Sequence, residues 1–371
     1  MRIDFEKMKD KKKRLYESIW KDFDFDILNA KIDNTYDIKS QKKSENSYSF
    51  VSYGCKCKTL IDIFKIKNSN LFCQKYDMVI SGSGEEVRKI LTLHSSSLCA
   101  LLHFYNITEK NPLTLSLNTN NGKRKVKFTQ SVFEYINPVI NNPSNMDIVL
   151  IGNDTKSKEK IVLFLESKFS EFYLYQSKRL SKISSKYLDN PYSKGIYNNE
   201  SFLESMSLKV KRNLDDSFEL TLNDKEQEPF YIGGIKQMIS HYVGIRNLLA
   251  GNYYKGWDAE LNQRIVDDAV KDKNTDNNIA TIILGEILFD NFNDSEILKS
   301  KNEYSAKYKI LAKNIASQID IDNVEKMEVL QETLGYSLFE SDRLNHLIGD
   351  KVKKFYKYKK IAYHEDDSVL Y

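Results

Sequence analysis

The 371-residue sequence is short of several things, and each shortage narrows what the chain can be. It has no run of about 18 or more apolar residues, so no transmembrane helix is expected. Its opening stretch, MRIDFEKMKDKKKRLYESIW, is charged and lacks an apolar core, so it does not read as a secretory signal. Only four cysteines occur: Cys55, Cys57, Cys73 and Cys99. Their spacing fits no zinc signature, and the expectation is free thiols in a reducing cytoplasm. There is no internal repeat and no low-complexity segment, which excludes solenoid and fibrous architectures.

What is present is the composition of a soluble globular chain, 41% hydrophobic and 29% charged. Tyr and Phe are plentiful, which argues against long disorder. The length allows two or three domains or one elaborated domain, with a large core. Net charge is only +4, so nothing in the total demands a nucleic acid; local clusters carry that question.

Residues 5–20 read as a charged helix, and the polar stretch 30–50 as loop. TLIDIFKI at 59–66 is a short apolar segment of either type, and SGSGEE at 81–86 is a turn signal. In HSSSLCALLHFYNI, Ser95 or Ser96 can cap a helix whose Leu98, Leu101, Leu102 and Tyr105 share one face. LTLSLNTNNGKRKVKF at 113–128 has the Asn-Gly signal of a hairpin. QSVFEYI, DIVLIGN and KIVLFLESK follow as strands, the last two joined by the polar turn DTKSKE. Residues 231–251 read as a helix that stops at Gly251, 279–289 as a buried strand, and 295–371 as mostly helical. The order helix, three antiparallel strands, helix, strand predicts an α/β fold around one mixed sheet flanked by helices, with mainly helical terminal additions. The expected division is an N-terminal region at 1–83, a core at 84–290 and a C-terminal region with a basic tail at 291–371.

One strand end stands out. In IVLFLESK, residues 161–165 are all apolar, and then Glu166 and Lys168 arrive with no turn before them. Alternation places both charges on the face of Val162 and Phe164. If the hairpin turns symmetrically about residues 156–157, Asp147 lies opposite Glu166, with Cβ atoms about 5 Å apart. Two carboxylates that close repel unless a cation separates them. A hard cation such as Mg²⁺, with Mn²⁺ as a substitute, takes one or two carboxylates and leaves positions for water and phosphate oxygens. Lys168 beside it can orient a water or stabilise charge on phosphoryl oxygens. The plain alternative is a surface strand end with an ion pair two residues apart; the acid-x-lysine pattern also occurs at Asp10, Asp37 and Asp154. Only Glu166 combines it with an apolar strand and an acidic strand start upstream.

The constellation resembles the PD-(D/E)XK superfamily of restriction-endonuclease-like nucleases. Asp147 and Glu166-Ser167-Lys168 match its motif, although NMD stands where the family has Pro-Asp. The element order matches its αβββαβ core over roughly residues 84–290. HSSSLCALLHF, ESKFSEF and IKQMISHYVGIRNLL are similar to one branch of bacterial restriction-like proteins. The resemblance implies a Mg²⁺-dependent DNA endonuclease of restriction or defence type, cytoplasmic and homodimeric. It implies metal binding by Asp147, Glu166 and the Ser167 carbonyl, with Lys168 assisting catalysis. Two other readings stay open: a nucleic-acid-binding module of this fold without cleavage, and an RNA-directed nuclease.

Further candidates surround this site. Glu134 can add a carboxylate or be an exposed strand residue; Glu85 and Glu86 are weaker versions of the same idea. Gln237 and His241, one turn apart, can support the site from the second helix or form a polar helix face. Glu171 can reach the site's edge or begin a solvent-facing segment. His94 and His103 lack a third ligand for zinc. KRKVK (123–127), KRLSKISSK (178–186) and KVKKFYKYKK (351–360) are basic stretches suited to a phosphate backbone or simply solvated.

Overall fold

The computed structural model describes residues 10–20, 32–37, 42–52, 54–81, 89–139, 144–175, 180–183, 200–223, 231–252, 261–271 and 279–339. In chain order the elements are α1 (Asp10–Trp20), β1 (Ile32–Asp37), β2 (Lys42–Phe50), α2 (Lys56–Phe64), α3 (Ser69–Ile80) and α4 (Ser96–Phe104). The strands β3 (Leu113–Thr119), β4 (Gly122–Asn137), β5 (Ser144–Asp154) and β6 (Lys160–Lys168) come next. They are followed by α5 (Glu171–Leu174), β7 (Leu180–Ile183), α6 (Glu200–Ser205), β8 (Leu208–Arg212) and β9 (Phe218–Leu222). The last elements are α7 (Ile232–Leu249), α8 (Leu261–Val270), β10 (Thr281–Leu288), α9 (Ser295–Asp322), β11 (Met327–Val329) and β12 (Leu334–Gly335).

The fold is α/β, with a mixed, curled central sheet of seven strands flanked by helices. Its order is β11-β10-β6-β5-β4-β3, with β12 also on β10. β3 to β6 are antiparallel neighbours, and β10 runs parallel to β6. β5, β6 and β10 are apolar on both faces because helices cover both, so they lack the alternation seen in β3. Ser95 caps α4 by accepting the Leu98 amide at 3.1 Å, as its position predicts.

The long β4 unites two segments that the sequence separates. A bulge between Phe128 and Gln130 joins the second arm of the 113–128 hairpin to QSVFEYI. Gly152 lies beside that bulge, where a Cβ would collide with the Lys127 carbonyl and the Phe128 Cα; only glycine fits there.

The two sides of the sheet meet at the end remote from the β6 terminus. The Gln331 amide donates to the Asn118 carbonyl at 2.9 Å, and the Asn120 amide to that of Val329 at 3.2 Å. Arg124 ties this closure together. Its Nε donates to both oxygens of buried Glu328 at 3.0 and 2.9 Å, and its Nη1 to Glu159 at 3.0 Å. Lys326 and Thr281 hold the other Glu159 oxygen at 2.7 and 2.6 Å.

Several sequence expectations are corrected. Residues 32–37 and 42–50 are not loop but a pair of antiparallel strands. Its strands are polar because backbone pairing carries them; buried Tyr48 and Phe50 dock on residues 91–93. The 59–66 segment, which the sequence left open, is helical to Phe64 as the end of α2. β7, β8 and β9 form a separate three-stranded sheet that the sequence reading missed. The C-terminal region is not only helical, since β11 and β12 extend the central sheet. Glu85 and Glu86, the 351–360 stretch and most of 178–186 lie outside the described residues.

Candidate active site

The β5–β6 register sets the geometry. Pairing runs from Asn153–Lys160 to Ile148–Leu165, so Asp147 and Glu166 occupy the next opposed positions. The two-residue periodicity of both strands therefore puts their side chains on one face, with Lys168. The β5–β6 ladder stops there: the Ser167 amide, two positions past the last pair, donates instead to Asp147 Oδ2 at 2.7 Å. That bond folds the Asp147 carboxyl inward against the end of β6. Among the described residues, Asp147 Oδ1 accepts no hydrogen bond. Asp147 is half-buried, the most open of the three charged groups.

Glu166 and Lys168 are nearly sealed, at 3% and 2% exposure. Lys168 Nζ donates to Glu166 Oε1 at 2.5 Å and to Gln237 Oε1 at 2.7 Å. His241 Nε2 reaches Glu166 Oε2 at 2.8 Å. An ionised carboxylate can only accept, so Nε2 carries a proton. His241 Nδ1 lies 2.7 Å from Ser144 Oγ at the start of β5. Gln237 and His241 are four residues apart on α7 and so project from one face of it onto the site. Gly244, a further three residues on, lets that face approach β4: a Cβ there would press on Asn137 and Val139.

The electrostatics separate the two acids. Burial opposes the charge on Glu166, but Lys168 and His241 outweigh it and bring its pKa down to about 2. Burial pushes Asp147 well above the ordinary carboxylate range; Glu166 adds to the rise, and Lys168 and the Ser167 amide oppose it. Lys168 feels a burial penalty, yet Glu166, Tyr231, Glu171 and Asp147 hold its pKa well above that of a free lysine. The site thus holds one firmly ionised carboxylate, a fixed ammonium, and a second carboxyl whose charge is opposed by burial and by Glu166.

A third acid, absent from the sequence reading, stands beside them. Glu286 on β10 pairs in parallel register with Glu166 and is fully buried. Tyr304 of α9 donates to its Oε1 at 2.9 Å, while Oε2 is buried without a hydrogen bond. Burial raises its pKa to about 8, with a small offset from Lys168. The signal was in the sequence: Glu286 is the sole charge in the apolar run 279–289. Gly234 at the start of α7 makes room for Tyr304, since a Cβ there would overlap its hydroxyl.

Glu134 is buried, not exposed, and has a positive φ of 50°. Its neighbours pair as Phe133–Ile148 and Tyr135–Met146, which sets it level with Asp147. Its carboxyl accepts from Asn145 at 3.5 Å, two residues from Asp147. Glu171 stays at the edge, half-buried, accepting the amides of Phe169 and Ser170 at 2.7 and 2.9 Å. His94 and His103 are away from the site. His94 bonds Tyr16 at 2.8 Å and His103 the Cys99 carbonyl at 2.6 Å, and burial lowers both pKa values, to about 3 and about 4.

Among the described residues, no three His, Cys, Asp or Glu side chains are arranged as a metal-binding group. A Mg²⁺ ion needs less than that, because it keeps water and phosphate oxygens in its shell. Asp147 offers an uncommitted oxygen, and the Ser167 carbonyl lies past the last ladder pair. Both Glu166 oxygens are held by Lys168 and His241. The donor types fit a hard cation, provided that Glu166 exchanges one protein donor for it. No helix among the described residues is long and apolar enough to cross a membrane.

Comparison with protein-family models, curated proteins and solved structures finds no match to this chain.

Proposed function

We propose that the chain is a divalent-metal-dependent nuclease that hydrolyses DNA phosphodiester bonds on a restriction-endonuclease-like core. The observation that carries this reading is the opposition of Asp147 and Glu166 at the end of one β-hairpin, with Lys168 two residues on. The order α4, β4-β5-β6, α7 and β10 parallel to β6 supports it, because that core brings these strand ends together.

In this proposal Asp147, Glu166 and the Ser167 carbonyl would hold Mg²⁺, which would supply Lewis-acid polarisation of the phosphodiester and of a water. Lys168 supplies a fixed positive charge next to the phosphoryl oxygens, where it is worth more than in water. Gln237 sets the ammonium by accepting one of its protons, and His241 keeps Glu166 ionised and aimed. The defence setting, cytoplasmic location and two-fold dimer belong to the same reading; two related sites are the simplest way to cut both strands.

A second reading has its own observation. Glu166 is fully occupied by Lys168 and His241, so the cluster is already neutralised without a metal. That arrangement suits a nucleic-acid-binding module that does not cleave. The deciding experiment incubates plasmid DNA, and RNA in parallel, with Mg²⁺ and three proteins: wild type, Asp147→Ala and Lys168→Ala. The nuclease reading expects cutting by wild type and a loss of about 10²–10³-fold in Lys168→Ala. No cutting of either polymer, with retained binding, favours the second reading. Equal cutting by all three proteins eliminates the site.

A further inference from the structure

The lysines of KRKVK have a defined place on the sheet. β3 and β4 pair in register as Thr114–Lys127, Ser116–Lys125 and Asn118–Lys123. All six of these residues are exposed, while Leu113, Leu115, Leu117, Val126 and Phe128 turn inward. The row continues across the sheet, with Lys127 opposite Asn153 and Asn153 opposite Lys160. The surface so formed has four lysines, with serine, threonine and asparagine between them and no carboxylate. The acids nearest in the chain are committed elsewhere: Asp154 accepts the Lys156 and Ser157 amides, and Glu159 is held by Arg124 and Lys326. Among the described residues none of the four lysines forms an ion pair.

This surface lies on the same side of the sheet as Asp147, with the buried side chains of Val149 and Ile151 between them. Asn153 and Asp147 are six residues apart on β5, so alternation gives them the same side of the sheet. That length of strand covers about 20 Å at ~3.4 Å per residue. The same distance spans about six nucleotide steps at ~3.4 Å per step along duplex DNA. Lys123, Lys125 and Lys127 repeat every second residue, a rise of about 7 Å, which suits successive charges on an extended polymer better than a compact anion.

We propose that the exposed face of the β3–β4 hairpin, with Lys160, is a track that holds the phosphate backbone of a nucleic acid engaged at Asp147, at the far end of the same side of the sheet. This rests on the nuclease reading for its direction, but the contact itself does not require cleavage. A nucleic acid is favoured over an acidic protein or an anionic membrane because the lysines form a straight row interleaved with hydrogen-bonding side chains. Such contacts give affinity and position without sequence choice.

The test measures binding in metal-free buffer with EDTA, so that cleavage plays no part. Wild type is compared with Lys123→Ala/Lys125→Ala/Lys127→Ala. A control, Lys58→Ala/Lys67→Ala/Lys313→Ala, removes the same charge from exposed positions elsewhere. With a 20-nucleotide duplex, the hairpin variant should bind at least tenfold more weakly at low salt. Its dependence of log K on log salt should be shallower by about 2, the control's by less than 1. With a four-nucleotide oligomer, long enough to lie on the lysine row alone, the variant should again bind more weakly than the control. Equal losses in variant and control overturn the track, as does equal affinity for heparin or anionic vesicles. Absence of cutting by wild type in the Mg²⁺ plasmid assay, with the salt effect intact, removes the nuclease reading and leaves the track standing.

Discussion

His241 Nε2 and Lys168 Nζ divide the carboxylate of Glu166 between them, one oxygen each, at 2.8 and 2.5 Å. The pair fixes an ionised acid in a site that water barely reaches. It also means that each partner's removal leaves a buried charge short of a donor, which costs more than the bond contributes when made.

His241→Ala should therefore destabilise the protein by about 2–3 kcal/mol, the penalty of a buried charged acceptor that loses its donor. His241→Gln, which restores an N–H toward Glu166, should recover part of this. Urea denaturation of the three proteins at neutral pH measures both effects; equal stability of wild type and His241→Ala would remove the role assigned to this histidine.

Glu286 predicts a pH dependence of stability. Its folded-state pKa is about 8 against an ordinary 4.5, so between those values the native state holds a proton that the unfolded state has lost. Stability from this group is full below pH 4.5, declines as pH rises toward 8 and is flat beyond. Glu286→Gln is a permanently neutral mimic that still accepts from Tyr304. Measured in metal-free buffer, it should match wild type near pH 4.5 and exceed it at pH 8.5. A constant difference across that range would show that Glu286 does not titrate this way.

Gly234→Ala should push Tyr304 off the start of α7, because the new methyl would occupy the space of its hydroxyl. The expected cost is about 1–3 kcal/mol for overpacking, and on the proposed nuclease reading cutting slows as Gln237, one turn on, shifts from Lys168. Adding Tyr304→Phe should restore stability in the double variant beyond the sum of the single effects. Additive thermal shifts would contradict the contact.

Arg124→Met should break the closure of the sheet and strand Glu328, which is 1% exposed. A cost of about 3–5 kcal/mol is expected for removing one partner of a buried ion pair. Pairing it with Glu328→Gln should recover much of that, since the uncompensated charge goes too. The network lies at the far end of the sheet from Asp147, so activity per folded molecule should stay unchanged in the double variant.

The sequence by itself determined the elements that local forces specify. A short polar turn between two apolar runs fixes the β5–β6 register, and with it the opposition of Asp147 and Glu166. Helical periodicity placed Gln237 and His241 together on α7, and a cap placed the start of α4. Tertiary structure decided the rest. Glu286 sits beside Glu166 through a parallel pairing that joins residues about 120 positions apart, and no local rule sets that register. The polar β1–β2 pair is held by backbone bonds that leave no hydrophobic pattern to read. Which donors satisfy Glu166 depends on how closely α7 packs against the strands, and glycines at 234 and 244 set that approach. Register within a hairpin is a short-range property of the chain; the partners of a buried charge are settled only when distant elements close over it.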